Sequence, residues 1–159
     1  MSQIQIEKLA RKEALQLGVY NAGMSDDAVR ETWQVDHITR LGSNENPLGA
    51  SPLVAAALRA DLGHTGIYSD SASLKLRHAL AELTSADAER IVIGNGSEEL
   101  LKLLCLAFIN PGERVVTLEP SFGLHQIYPQ MMGAQVELVP VNQQMEFDLP
   151  AWQQALSQP

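Results

Sequence analysis

The spacing of apolar residues changes character along the chain. Residues 4–17 set Ile6, Leu9 and Leu17 among charged neighbours at helical spacing, which predicts an amphipathic arm ahead of Gly18. Ser25, followed by Asp26 and Asp27, predicts a capped helix through Trp33, and His37–Leu41 a short strand or extended piece. Ser51-Pro52 places an N-cap and a first-turn proline ahead of a helix to about Arg59. Leu74, Leu76, Ala79, Leu80 and Leu83 mark another helix over 72–83. From residue 91 the pattern turns continuous. Ile91-Val92-Ile93 reads as a buried strand, Gly94-Asn95-Gly96-Ser97 as a tight turn, and the run to Ile109 as an apolar helix. Arg114–Leu118 is a second buried strand, Glu119–Gly123 turns into a helix through about Met132, and Ala134–Pro140 is a third, more alternating strand. Asp148 caps a last helix from Ala151 to Leu156.

This order of elements predicts an α/β fold with a doubly wound, mostly parallel sheet, preceded by a helical arm. Three strands are few for a sheet covered on both faces, so the sheet is expected to be incomplete within these residues. The expected division is an arm with short helices over 1–40 and the first part of a larger α/β domain over 41–159.

The turn at Gly94–Ser97 is the strongest candidate for chemistry. A helix start presents backbone N–H groups without intrahelical acceptors at the positive end of a dipole, which suits an anion. Gly94 and Gly96 permit a sharp turn and close approach of a ligand to the backbone. The cap is expected from Asn95 with Glu98, or from Ser97 itself. Three readings compete. One is an ordinary strand–helix turn with nothing bound. A second is a dinucleotide fingerprint, with Gly94 and Gly96 as its first two glycines and Glu119 as the ribose-binding acid, although Glu99 stands where the third glycine belongs. The bare motif suggests a phosphate without naming its owner. A P-loop is excluded, because no Gly-Lys-Ser/Thr follows.

Composition narrows the partners. Across 159 residues the chain is 45% hydrophobic and 19% charged, which is globular rather than disordered. A net charge of −8 argues against nucleic acid or an anionic membrane, and it leaves any phosphate to be held by local geometry. The one cysteine, Cys105, falls in the apolar helix and reads as a buried thiol; this is compatible with a reducing cytoplasm. No secretory leader is expected in Met-Ser-Gln-Ile-Gln-Ile-Glu, no apolar run spans a bilayer, and no metal site is expected.

Four stretches occur in a telling order: Leu41-Gly-Ser-Asn-Glu-Asn-Pro-Leu-Gly49, Tyr68-Ser-Asp70, Gly94-Asn-Gly-Ser-Glu-Glu-Leu100 and Glu119-Pro-Ser-Phe-Gly123. Together they resemble the N-terminal part of fold-type-I, pyridoxal-phosphate-dependent aminotransferases, in the histidinol-phosphate aminotransferase branch. The resemblance covers the chain from about Leu9 onward.

The resemblance implies pyridoxal 5'-phosphate as cofactor, an amino donor and a 2-oxo acid acceptor as substrates, and a cytoplasmic homodimer. It implies that the amides of Ser97 and Glu98, behind Gly96, hold the cofactor phosphate, and that Phe122 stacks on the pyridine ring. Tyr68 would reach the phosphate of the partner subunit's cofactor, Asn44 and Asn46 would sit at the substrate mouth, and the arm would pack on the partner subunit. Ser69 stands where the family usually has proline. The family's cofactor-binding lysine, ring-nitrogen aspartate and substrate arginines are expected beyond residue 159. None of Lys8, Lys12, Lys75 or Lys102 matches that lysine, so no catalytic residue is assigned, and these residues alone are expected to be inert.

Overall fold

A computed structural model describes residues 5–158, without the side chain of Ile6; residue 4, where the arm is expected to begin, lies outside them. Contacts divide the chain into two units, one formed by residues 1–21 with 94–159 and the other by 22–93.

In the unit formed by 1–21 and 94–159, the arm is a 3-10 turn at Ile6–Lys8 followed by the short helix α1, Lys12–Leu15. Helix α5, Gly96–Phe108, leads into strand β1, Arg114–Glu119; helix α6, Leu124–Met132, returns the chain to strand β2, Gln135–Pro140; and helix α7, Leu149–Leu156, follows. The strands are parallel, in register from Arg114 opposite Gln135 to Glu119 opposite Pro140. The predicted strand–helix–strand unit over 114–140 is therefore present. The core lies where α5 meets α6: Cys105, Leu124, Tyr128 and Met132 are buried, with Leu101, Ile109, Ile127 and Met131 packed against them. Only part of the apolar surface of α5 is used here: Cys105 is buried, while Leu104, Leu106 and Phe108 on the same helix are more than half exposed.

Among the described residues the sheet has two strands, not three. Ile91–Ile93 are not in a ladder, and Val92 is 68% exposed. The β-branched side chains favour the extended backbone, but a strand also needs hydrogen-bonding partners on a neighbour. His37–Leu41 likewise has no ladder.

Arg114, the first residue of β1, ties three elements together. Its guanidinium donates to the Glu137 carboxylate on β2 at 2.7 Å, to the Gln158 carbonyl at 3.1 Å and to the Ala155 carbonyl of α7. Cationic donors at the last carbonyls suit the negative end of a helix dipole. The Asp148 carboxylate caps the other end of α7, accepting from the Ala151 N–H at 3.1 Å. The arm lies along α6 of its own chain: Arg11 donates to the Met131 carbonyl at 3.2 Å, and Tyr20 meets Phe122.

The unit formed by 22–93 is helical. Its elements are α2, Asp26–Trp33; α3, Pro52–Asp61, continued by a 3-10 turn to His64; α4, Leu74–Thr84; and a 3-10 turn at Ala88–Arg90. The Ser25 hydroxyl caps α2 by accepting from the Ala28 N–H at 3.2 Å, and the Ser51 hydroxyl caps α3 by accepting from the Leu53 N–H at 3.3 Å. Asp70 prepares the start of α4, its two carboxylate oxygens accepting from the N–H groups of Ala72 and Leu74. Arg77 then anchors α4 to the following turn through the Ala88 carbonyl at 2.9 Å.

Leu53 and Leu58 on α3, Leu83 on α4 and Phe108 on α5 are all more than half exposed. Exposed apolar residues in this number favour association. The 159-residue polypeptide on its own should self-associate in light scattering. A monodisperse monomer that unfolds cooperatively would contradict this.

Candidate functional site

The site is built from the ends of three segments in one unit. Gly96 has φ +76°, a conformation costly for any residue with a Cβ, so glycine is required for the backbone to turn into α5. Space in front of it is open: a Cβ there would find no atom within 4 Å. Gly94 is tight instead, since a Cβ would lie 3.0 Å from Leu100 Cδ2 and 3.3 Å from a Glu99 carboxylate oxygen. The two glycines thus have different jobs. One sets a backbone angle; the other lets the turn lie close against its helix.

Asn95 precedes α5 but its side chain accepts no capping hydrogen bond. The expected pairing of Asn95 with Glu98 is replaced by one with Glu99, whose Oε2 accepts from the Asn95 N–H at 2.6 Å and from its Nδ2 at 2.9 Å. Glu99 therefore reaches back four residues to Asn95, one residue further than the N3 position of a capping box. The Asn95 backbone N–H, then its side chain, holds the Glu99 carboxyl below the usual carboxylate range. Glu98 goes elsewhere: its Oε1 accepts from the Tyr128 hydroxyl on α6 at 2.7 Å. Hydrogen bonding to Glu98, aided by burial, raises the Tyr128 phenol above its ordinary value. Both acidic side chains of the first turn are therefore committed to protein donors. The amides of Ser97 and Glu98 belong to the first turn, which α-helical bonding leaves without acceptors.

A depressed folded-state value gives Glu99 a defined pH signature. Its contribution to stability is present above the ordinary carboxylate range of about 4.3 and is lost as pH falls through the lower folded value. Glu99→Gln should therefore narrow the gap between urea midpoints measured at pH 7 and at pH 3. An unchanged gap would show that the hydrogen bonds to Asn95 do not favour the ionised form.

Phe122 stands after the carboxyl end of β1, two residues before α6, and is 43% exposed. Its ring is met by Tyr20 with centroids 5.8 Å apart at 83°, and by His125 at 5.8 Å and 87°. His125 is itself fixed, with Nδ1 2.8 Å from the Ser121 hydroxyl. The Glu98–Tyr128 hydrogen bond joins the first turn of α5 to α6, the helix that follows the segment carrying Phe122. A helix start of this kind can hold an anion on backbone amides, and Phe122 offers a partly open aromatic face.

The other expected site residues, Asn44, Asn46 and Tyr68, lie in the 22–93 unit. The Asn46 side chain closes its own loop, Nδ2 donating to the Gly49 carbonyl at 2.9 Å and Oδ1 accepting from the Leu48 N–H at 3.0 Å. Asn44 holds a left-handed backbone at φ +51°, which asparagine tolerates better than most residues. Tyr68 is fully exposed. Cys105 is buried, and burial pushes its thiol up, away from reactivity. Among the described residues no group of three or more His, Cys, Asp or Glu side chains is placed to hold a metal, and no helix is long and apolar enough to cross a membrane.

The fold is that of an α/β protein of the fold-type-I aminotransferase class. The chain belongs to the aminotransferase class I and II family, whose model matches residues 36–159. It is 40% identical over 143 residues to histidinol-phosphate aminotransferase 1 of Mesorhizobium japonicum, covering 90% of this chain and 39% of that protein. It is 37% identical to histidinol-phosphate aminotransferase 3 of Rhizobium meliloti, covering 89% of this chain and 38% of that protein. Among solved structures it resembles the histidinol-phosphate aminotransferase of Sinorhizobium meliloti in complex with pyridoxal-5'-phosphate, with a TM-score of 0.78, 25% identity, and coverage of 92% of this chain and 38% of that one. The chain thus spans about two-fifths of the length of the curated relatives it matches.

Proposed function

We propose that the protein carrying this chain is a pyridoxal-phosphate-dependent aminotransferase that moves the amino group of histidinol phosphate to 2-oxoglutarate. The products are imidazole acetol phosphate and glutamate, and the setting is histidine biosynthesis in the cytoplasm. The observation that carries the reading is the 40% identity to a protein of that name over nine-tenths of this chain. The local geometry is compatible with the cofactor's phosphate: the helix start is open in front of Gly96, and the two carboxylates beside it are tied to Tyr128 and Asn95.

In this reading the Ser97 and Glu98 amides bind the phosphate behind the turn at Gly96, and Phe122 covers one face of the ring. The protein acts as a homodimer, Tyr68 completing the phosphate site of the partner subunit's cofactor. Asn44 and Asn46 orient substrate at the mouth; the loop bonds of Asn46 suit it to hold a fixed direction. When bound, pyridoxal phosphate supplies an electron sink for the substrate's α-carbon. The residues of this chain bind and orient it, and none is assigned the proton transfer. A dinucleotide reading has less support, because Glu99 fills the place of the third glycine and its carboxylate is bound into the turn.

The test uses the intact gene product. Stoichiometric pyridoxal phosphate after purification, with glutamate formed from histidinol phosphate and 2-oxoglutarate, is the expected result. Transfer from aromatic amino acids but not from histidinol phosphate would move the substrate assignment. Binding of a nicotinamide dinucleotide without pyridoxal phosphate would overturn the proposal.

A further inference from the structure

An acidic side chain beside a phosphate-binding amide is a liability. The first turn of α5 carries two, Glu98 and Glu99, in a chain of net charge −8. Glu99 is held within its own turn by Asn95. Glu98 is held across the fold, by a hydroxyl on a different helix. Tyr128 is 8% exposed, lies in the core between Leu124 and Met132, and directs its only polar side-chain atom to Glu98 Oε1 at 2.7 Å. A buried ring has few rotamers open to it, so the hydroxyl is a fixed donor rather than a surface group that finds a partner by chance.

Building on the function proposed above, we propose that Tyr128 is a positioning residue for the cofactor phosphate: it holds the Glu98 carboxylate against α6 and so keeps that charge from swinging over the amides of Ser97 and Glu98. A glutamate side chain without a partner samples several rotamers, some of which bring its charge near the helix start, where the dipole attracts it. That position is the one the phosphate needs. A hydrogen bond from a buried donor removes those rotamers without removing the charge. The raised Tyr128 phenol agrees, since its proton is the one shared with the carboxylate.

The experiment compares four forms of the intact gene product: wild type, Tyr128→Phe, Glu98→Gln and the double variant. Pyridoxal phosphate affinity is read by equilibrium dialysis, and thermal unfolding of the cofactor-free proteins is read alongside. Tyr128→Phe keeps the packed ring and frees the carboxylate, so affinity should fall about two- to fivefold, and the deficit should shrink at high salt, as expected for a partly exposed charge. Glu98→Gln should raise affinity more in the Tyr128→Phe background than in the wild-type one, because only there is the charge loose; this difference is the coupling that a double-mutant cycle isolates. Equal affinity of wild type and Tyr128→Phe would overturn the proposal. So would a deficit that Glu98→Gln leaves unrepaired, for then Tyr128 acts only through packing. Failure of the wild-type protein to bind pyridoxal phosphate at all would instead count against the function on which the proposal rests.

Discussion

Ser97→Pro should lower the affinity of the intact gene product for pyridoxal phosphate about ten- to a hundredfold or more while leaving its fold close to intact. Ser97 lies in the first turn of α5, where a proline breaks no intrahelical hydrogen bond and its fixed φ suits the helix. The residue before a proline is usually the one that suffers, but here it is Gly96, which has no Cβ to clash and already stands at φ +76°. The substitution therefore removes one thing, an amide donor aimed out of the helix start. A hydrogen bond to a charged group is worth roughly 1.5–3 kcal/mol, which sets the size of the loss. Ser97→Ala keeps the amide and should lose much less, separating the backbone from the hydroxyl. The measurement is a cofactor titration on both variants, with circular dichroism to establish that each is folded. Equal affinity for wild type and a folded Ser97→Pro protein would show that this helix start does not hold the phosphate.

Local chemistry was legible in the sequence wherever a residue acts on its near neighbours. Ser25, Ser51 and Asp148 cap the helices they precede, because an N-cap needs only a short acceptor three or fewer residues from the amide it meets. Gly96 was identifiable as a turn glycine for the same reason, and the parallel pairing of β1 with β2 follows from two apolar runs joined by a helix. Legibility ended where partners are distant or competing. Asn95 had two glutamates within reach; Glu98 is taken by Tyr128 and Glu99 bonds Asn95. The Glu98–Tyr128 bond joins residues 30 apart and has no sequence signal; the only hint is a tyrosine, which brings a polar tip into any core it enters. Ile91–Ile93 has the composition of a strand, but a ladder requires a neighbour, and no residue pattern within the segment says where that neighbour is. The contact of Tyr20 with Phe122 was equally invisible, since it depends on the arm lying along α6.

Phe122→Ala should weaken cofactor binding by about 1–3 kcal/mol, through lost apolar area and lost stacking, and Phe122→Tyr should be nearly neutral. The structure sharpens this expectation. Tyr20 and His125 both meet Phe122 at nearly right angles, so the ring is steered by its neighbours while remaining 43% exposed. A side chain that served only the core would be buried more deeply, as Leu124 and Tyr128 are in the same unit. Because so much of the Phe122 ring is open, its truncation should cost the cofactor-free protein less stability than truncation of Leu124 would. The informative comparison is therefore between two measurements on one variant. Thermal unfolding of cofactor-free Phe122→Ala should change little, while its pyridoxal phosphate affinity falls by the stated amount. If unfolding temperature drops sharply and cofactor affinity is unchanged, Phe122 is a packing residue and the ring contact belongs to another side chain.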